Sequence, residues 1–417
     1  MKKFLLLLLL VAIAMAGNAQ NYCNNPLRFS EQPIFTDSQI GTQTNVVYGS
    51  AVTWQGQTQP LTMNVFFPKL NIDTLPLRPF ILIIHGGGFV NGNKEDWNDD
   101  CREFAKRGFV AATIDYRLGL TGNCAVDSFS YDKAVYRAIQ DAKAALRFAV
   151  DNAAASRIDT SWMFIGGGSA GAATSLGVLY LSQNDWNSYS PTIPQNLGPL
   201  NTSGNNLTNT YTLKGIMNNW GGIGKAFIDA NEMVPMIAFH GDADSTANID
   251  SAFAKSCVDP PLVYGSRSLY TLFTNAGICA DLSVKVGGGH GVYNNSGNNF
   301  RVERTACFFK SVMCNTCSNF YSTDSIPANC SVANSIGEEA KENILRVFPN
   351  PSGGDINLTF AVQGQKLVNI YNAMGQLVKS FTTADAQYNL TIAHSGLYFV
   401  RVSYQNKVYS SQLIISN

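Results

Sequence analysis

The order of apolar runs along the chain predicts an α/β protein, with a mostly parallel central sheet covered by helices on both faces, followed by a small all-β sandwich. Three observations carry this prediction. Between Leu61 and Met313, short apolar runs that end in glycine or acidic residues alternate with longer amphipathic stretches. After Cys330 the composition turns small and polar, then passes into short alternating runs with no helical period. The 417 residues are also enough for a large buried core and more than one domain.

Leu61 to Phe67 reads as a strand. Phe80 to Ile84 (FILII) is a continuous apolar run, too short for a helix and ended by glycines, as a central strand buried on both faces would be. Trp97 to Arg107 reads as helix, Phe109 to Ile114 (FVAATI) as strand, and Asp132 to Ala153 as a long alanine-rich helix. Trp162 to Ile165 is the next strand and Ala172 to Leu181 the next helix. Ser182 to Asn209 is rich in Asn, Ser, Thr and Pro without a period, which predicts an excursion over the surface that forms part of a cap over the site. The sheet resumes at Leu213 to Met217, Met236 to Phe239 and Leu282 to Val286, with a final helix near Asn299 to Met313.

Ser331 to Asn343 is small and polar and reads as a linker. Strand-like runs follow at Ile356 to Phe360, Lys366 to Tyr371, Tyr388 to Ile392, Leu397 to Tyr404 and Lys407 to Ile414. Turns are supplied by Asn350-Pro351, Ser352-Gly353-Gly354 and Met374-Gly375. The expected organisation is therefore a leader at 1–19, an α/β domain at 20–330, a linker at 331–343 and a β module at 344–417.

That leader has two lysines, an apolar run from Phe4 to Ala16 and small residues up to Ala19, which is the pattern of a signal peptide cut before Gln20. Its apolar run is short for a membrane span and no later stretch approaches that length, so a soluble, exported protein with no stable membrane span is expected. Gln20, Asn21 and Tyr22 stand where a lipid-modified Cys23 would need small residues. Lys plus Arg (29) balance Asp plus Glu (29), leaving no basic surplus for a nucleic-acid or anionic-membrane partner. All nine cysteines lie beyond the leader, and export favours their pairing. Cys101 with Cys124 and Cys257 with Cys279 are closable separations, while Cys307, Cys314, Cys317 and Cys330 cluster. Cys314-Asn-Thr-Cys317 has redox spacing but lacks the strand-to-helix context, so a structural disulfide is expected there.

The chemistry gathers at four strand ends: His85-Gly86-Gly87-Gly88-Phe89, Gly167-Gly168-Ser169-Ala170-Gly171, His240-Gly241-Asp242-Ala243-Asp244 and Gly287-Gly288-Gly289-His290-Gly291. The carboxyl ends of strands are where open α/β sheets place their sites. A serine hydroxyl needs a base and a sharp presentation to act as a nucleophile. Glycines two before and two after Ser169 permit a tight strand-to-helix turn. The chain has four histidines. His394 lies in the β module, His85 opens a glycine run whose N–H groups suit an oxyanion, and His240 orients a turn. His290, between glycines after the last strand of the region, is assigned as base. Asp242 and Asp244 both qualify by position as its acid partner, with Glu232 more distant.

With these motifs in view, the region from about Leu61 to Met313 resembles an α/β-hydrolase of the carboxylesterase and lipase superfamily, closest to secreted carboxylesterases and feruloyl or acetyl esterases. The resemblance rests on the His-Gly-Gly-Gly run, the Gly-x-Ser-x-Gly elbow and the order Ser, Asp, His. It implies that Asp244 is the acid, that the N–H groups of Gly87, Gly88 and Ala170 form the oxyanion hole, and that Asp115-Tyr116-Arg117-Leu118 is structural. Gly168 departs from the pattern, since many relatives carry a carboxylate there and this chain is expected to leave space. Ser245-Thr-Ala-Asn248 departs from a common Val-Pro. The implied activity is ester hydrolysis without metal or cofactor on a small or polymer-linked ester; the other readings are a serine peptidase or a silent binding module of the same fold. Two carboxylates at Asp242 and Asp244 are too few oxygens for calcium. Phe348 to Gly354, Val368 to Leu377, Ser395 to Arg401 and Lys407 to Ile415 resemble the type A C-terminal sorting domain of type IX secretion in Bacteroidetes. This implies the type IX machinery as partner, and a secreted or cell-surface location.

Overall fold

The computed structural model describes residues 22–119, 128–253, 262–294, 299–323, 345–372, 376–404 and 407–416. The expected signal peptide and linker, with Cys124, Cys257 and Cys330, lie outside the described residues. The chain folds as two compact units, Met1–Asn334 and Ser335–Asn417.

Among the described residues, nine strands of the first unit form one sheet. They are β1 (Ile40–Val52), β2 (Thr58–Pro68), β3 (Arg78–Ile84), β4 (Val110–Ile114), β5 (Ile158–Gly168), β6 (Leu213–Asn219), β7 (Met236–Gly241), β8 (Ala280–Lys285) and β9 (Phe320–Thr323). Their order is β1-β2-β4-β3-β5-β6-β7-β8-β9. β1 and β2 are antiparallel, β2 meets β4 antiparallel, and every later pairing is parallel. This is the α/β-hydrolase architecture.

The FILII run of β3 is buried throughout. Its Phe80, Leu82 and Ile84 join one core, while Ile81 and Ile83 join the other, because alternate side chains of a strand point to opposite faces. On the first face lie α2 (Ser128–Asp151), α3 (Ala170–Tyr180) and α6 (Ser266–Asn275), through residues such as Ile139, Leu176 and Phe273. The second face is covered by α1 (Asn98–Lys106) and α7 (Phe300–Met313), through Phe104 and Phe309. Each such fully buried apolar side chain contributes about 1.5–3 kcal/mol.

The structure adds elements the apolar pattern does not reveal. β1 is an edge strand with mostly polar or small residues and one exposed face. β9 extends the parallel sheet beyond the expected last strand, pairing with β8 from Asp281 to Val284. Residues 182–209 correct the expectation of a cap. They form α4 (Gln183–Tyr189) and α5 (Thr192–Leu197), and the segment is pinned to α2 and β1. Trp186 packs edge-on to Tyr136 at 5.1 Å. Asn205 Nδ2 donates to Tyr48 O and Ala144 O at 2.9 Å, and Ser50 N donates to Gly204 O at 2.7 Å. The Asn205 amide is therefore spent on backbone carbonyls of β1 and α2.

The cysteines pair differently from the expected loops. Cys23 bonds Cys314 and Cys279 bonds Cys317. The Cys314 and Cys317 sulfurs thus go to separate partners, and Cys307 is also disulfide-bonded. Cys101 is a free thiol buried beside Phe104, and burial pushes its ionisation well up. Its place on the inner face of α1 makes it a small core residue.

The second unit contains β10 (Leu345–Phe348), β11 (Asp355–Phe360), β12 (Lys366–Asn372), β13 (Leu377–Thr383), β14 (Gln387–Thr391), β15 (Gly396–Tyr404) and β16 (Lys407–Ile415). Two antiparallel sheets, β10-β11-β14 and β13-β12-β15-β16, share a core of Leu358, Val368, Ile370, Val400 and Leu413. β10 and β13 are the additions to the expected set. β13 is exposed along most of its length, so its apolar alternation is weak.

Candidate active site

Ser169 sits between β5 and α3 with φ 54° and ψ −117°, a left-handed conformation that a non-glycine residue holds only when its surroundings enforce it. The neighbouring glycines show the enforcement. A Cβ on Gly167 would lie 2.4 Å from Ile84 O, and one on Gly171 would lie 2.0 Å from the same atom. The end of β3 and the start of α3 therefore touch backbone to backbone across the turn. Ser169 N donates to Asn219 O at 2.9 Å, and Asn219 Nδ2 donates to Gly167 O at 2.8 Å, tying the turn to β6.

The loop after β8 brings His290 to this serine. His290 Nε2 is 2.8 Å from Ser169 Oγ, and His290 Nδ1 is 2.7 Å from Asp244 Oδ2. The nucleophile candidate, base candidate and acid candidate thus form one hydrogen-bonded line. His290 is exposed and Ser169 half-buried, whereas Asp244 is buried. The other oxygen of Asp244 accepts from Thr246 N at 2.8 Å and Ala247 N at 2.9 Å. Burial works against ionisation of Asp244, but hydrogen bonds from His240, His290, Ala247 and Thr246 outweigh it and hold its carboxyl well below the usual range. Asp242 lies elsewhere: its Oδ1 accepts from Gly287 N at 2.6 Å, joining the two loops. Glu232 is on an exposed one-turn helix.

A cleft of about 710 Å³ opens over Ser169, bounded by Gly87, Gly88, Trp97, Trp220, Thr246 and His290. None of the residues from 182 to 209 lines it. Gly87 (φ 99°) and Gly88 (φ 61°) carry the backbone round the cleft in a conformation glycine adopts freely. A Cβ on Gly87 would also lie 2.1 Å from Asn91 O. Ala170 is the first residue of α3 and is buried behind Ser169, where a helix has backbone N–H groups without intrahelical partners. His85 stacks on Tyr116 at 4.3 Å and its Nδ1 is 2.8 Å from Gly86 O. Burial lowers the His85 pKa. Asp115 and Arg117 are occupied by Lys94 and by Asp141, at 2.8 and 2.7 Å.

Gly168 differs from the expectation of open space. A Cβ there would lie 2.7 Å from the Trp97 ring, so the indole fills the position. Trp97 and Trp220 flank the Arg301 guanidinium at 4.8 and 5.4 Å, and Arg301 pairs with Asp100 at 3.0 Å. Neither tryptophan nor Arg301 stands out as a site residue in the sequence, because they come from three separate segments with no shared motif.

Among the described residues, no group of three or more His, Cys, Asp or Glu is placed to hold a metal ion, and no helix is long and apolar enough to cross a membrane.

Comparison with known proteins gives two family matches. Residues 63–222 match the BD-FAE family, and residues 346–416 match the family described as the secretion system C-terminal sorting domain. The first unit therefore carries an α/β-hydrolase family domain and the second a type IX sorting domain. The neuroligin-like protein glit-1 of Caenorhabditis elegans is 31% identical over 114 residues, 27% of this chain and 15% of that protein. The chain thus spans only a small part of that relative. Among solved structures, the propionate-bound Est2 esterase of Thermogutta terrifontis is 19% identical, covering 66% of this chain and 96% of that one, with a TM-score of 0.46. Esterase B of Lactobacillus rhamnosis is 14% identical, covering 75% and 96%, with a TM-score of 0.45. A truncated carbohydrate esterase from gut microbiota is 19% identical, covering 68% and 100%, with a TM-score of 0.44.

Proposed function

We propose that this protein is an exported serine esterase that hydrolyses carboxylic esters through an acyl-enzyme intermediate. The observation that carries the reading is the hydrogen-bonded line from Ser169 Oγ through His290 to Asp244 at the open end of a parallel sheet. Ser169 Oγ attacks the ester carbonyl carbon while its proton passes to His290 Nε2. The carbonyl electron pair moves to oxygen, where N–H groups of Gly87, Gly88 and Ala170 receive the negative charge. The intermediate collapses, and the alcohol leaves with the proton from His290. Water then attacks the acyl carbon by the same proton route, releasing the acid and restoring Ser169. Asp244, held ionised by its donors, faces the imidazolium that forms at each step. The steps balance with water alone, so the reading requires no metal and no cofactor.

The domain limits of the proposal are a signal peptide at 1–19, a catalytic domain at 20–330, a linker at 331–343 and a sorting domain at 344–417. The sorting domain implies handling by type IX secretion and a secreted or cell-surface location. The substrate is an ester, small or polymer-linked. Purified mature protein should hydrolyse short-chain nitrophenyl esters, and Ser169→Ala should abolish this with an unchanged circular dichroism spectrum. Activity surviving Ser169→Ala, or absent from the wild type across acetyl, butyryl, feruloyl and long-chain esters, rejects the reading.

A further inference from the structure

We propose that His240 is a positioning residue, the last link in a buried line of hydrogen-bond donors that runs from Asn218 through Ser266 to the outer side of Asp244. The inference rests on the ester-hydrolysis reading and adds a residue that acts through the acid.

His240 is next to last in β7 and has no solvent exposure. Its Nε2 is 2.8 Å from Ala247 O and 3.2 Å from Asp244 Oδ2. Both partners are acceptors, so this nitrogen carries the hydrogen. Its Nδ1 is 2.7 Å from Ser266 Oγ, on the first residue of α6. Asn218 Nδ2 approaches the same oxygen at 3.3 Å, while Asn218 Oδ1 accepts from Gly221 N at 3.1 Å. The Gly221 N–H sets the orientation of the Asn218 amide, because only its oxygen can accept. Asn218 therefore donates to Ser266, the Ser266 hydroxyl donates to His240 Nδ1, and His240 Nε2 donates to Ala247 O with Asp244 Oδ2 3.2 Å from the same nitrogen.

All four side chains are buried, Asp244 at 4% exposure and the other three at 0%. Each donor has an acceptor in this assignment. Asp244 Oδ2 is consequently gripped from both sides, by His240 and by His290, while Oδ1 is held by backbone N–H groups. His240 thus fixes the rotation of the carboxylate and shares its charge. The charged groups near His290 are Asp244, Asp96 on the cleft wall, Asp242 on the Gly287 N–H, and Arg301 behind the Trp220 ring. Of these, Asp244 makes the contact with the imidazole.

Two substitutions separate positioning from simple structural support. His240→Leu should lower kcat on a nitrophenyl ester roughly tenfold to a hundredfold, the effect of one hydrogen bond to a charged group, with KM changed by less than about twofold. It should also move the acid limb of the kcat/KM profile to higher pH, because more of the Asp244 charge then falls on the His290 imidazolium. His240→Gln, whose amide nitrogen can donate from the place of Nε2, should recover most of the rate and return the limb. Ser266→Ala tests the same line with a smaller change, and a loss of about threefold to tenfold is expected. Nitrogen NMR of the histidines gives a readout independent of turnover. His240 should carry its hydrogen on Nε2 and accept at Nδ1. An unchanged acid limb and kcat in His240→Leu, His240→Gln as impaired as His240→Leu, or a hydrogen on His240 Nδ1 in place of Nε2 would overturn the proposal. If the wild type hydrolyses no ester, the catalytic reading fails, while the NMR tautomer of His240 still decides whether the donor line exists. If His240→Leu does not fold, Ser266→Ala and the wild-type spectra decide it.

Discussion

Asp244 and Asp281 lie near adjacent strands with almost the same burial, 4% and 1% exposed, yet their surroundings drive them in opposite directions. Asp244 receives two backbone N–H groups and two histidines, and its carboxyl is held well below the usual range. Asp281, in β8, meets only the Arg304 guanidinium through Oδ2, and its Oδ1 has no hydrogen-bond partner. Burial pushes its pKa up to about 6 despite that arginine. Arg304 itself leaves Nε and Nη1 without hydrogen-bond partners, its guanidinium lying over the Phe320 ring at 4.8 Å. The lesson is that burial alone does not set a carboxylate. The number of donors aimed at it decides whether it is a fixed charge fit for chemistry or a costly one retained between β8 and α7.

The largest expected effect separates the two by function. Asp244→Asn should leave the fold intact and reduce kcat about 10⁴-fold, because the imidazole loses the carboxylate that sets its tautomer. Asp281→Asn should leave kcat within a few-fold of wild type; steady-state kinetics of both variants checks this, and equal losses would erase the distinction.

Stability should show the reverse. Arg304→Met leaves Asp281 buried without its partner and should cost about 3–5 kcal/mol in urea unfolding, whereas replacing both residues by apolar ones of similar volume should cost far less. Equal losses in the single and double variants would mean that the pair is not what holds the region. Slightly below that lies the Cys279–Cys317 disulfide, which ties the residue just before β8 to the segment leading into β9. Replacing both cysteines by serine should cost about 2–4 kcal/mol, read as a lowered thermal midpoint without reductant.

The smallest effect is a difference in pH dependence. The folded pKa of Asp281 is about 6, above the unfolded value of about 3.9, so the folded state takes up this proton first. Its contribution to stability therefore rises as pH falls from above 6 to below 4. Asp244 has the opposite sign: its contribution is complete above the usual carboxylate range and is lost only as pH falls through its depressed folded pKa. Urea midpoints at pH 7, 5 and 4 should show that Asp281→Asn removes the rise between pH 6 and 4. A wild-type profile unaltered by this substitution would contradict the assignment.

How much of this was legible depended on where each residue finds its partners. The FILII run is buried on both faces, so its apolar character announced β3 directly. β1 and β13 have exposed faces and polar or mixed sequences, and they form because a neighbouring strand supplies their hydrogen bonds. Glycines with a backbone reason to be glycine marked the turns around Ser169 and His290. Position along the chain left Asp242 and Asp244 equal, and only the folded loops put Asp244 against His290 and Asp242 against Gly287 N. Cysteine pairing is hidden from the sequence for the same reason: Cys23 meets Cys314 across a separation of 291 residues.

The sequence by itself determined the alternating α/β order, the serine elbow and the change to a β module, since each depends on residues close together in the chain. Tertiary structure alone decided that Trp97 fills the place beside Gly168, and that Asn218 and Ser266 stand in line behind His240, which reaches Asp244. Those contacts join segments far apart in sequence, and packing and hydrogen-bond geometry select them only after the sheet has brought its strand ends together.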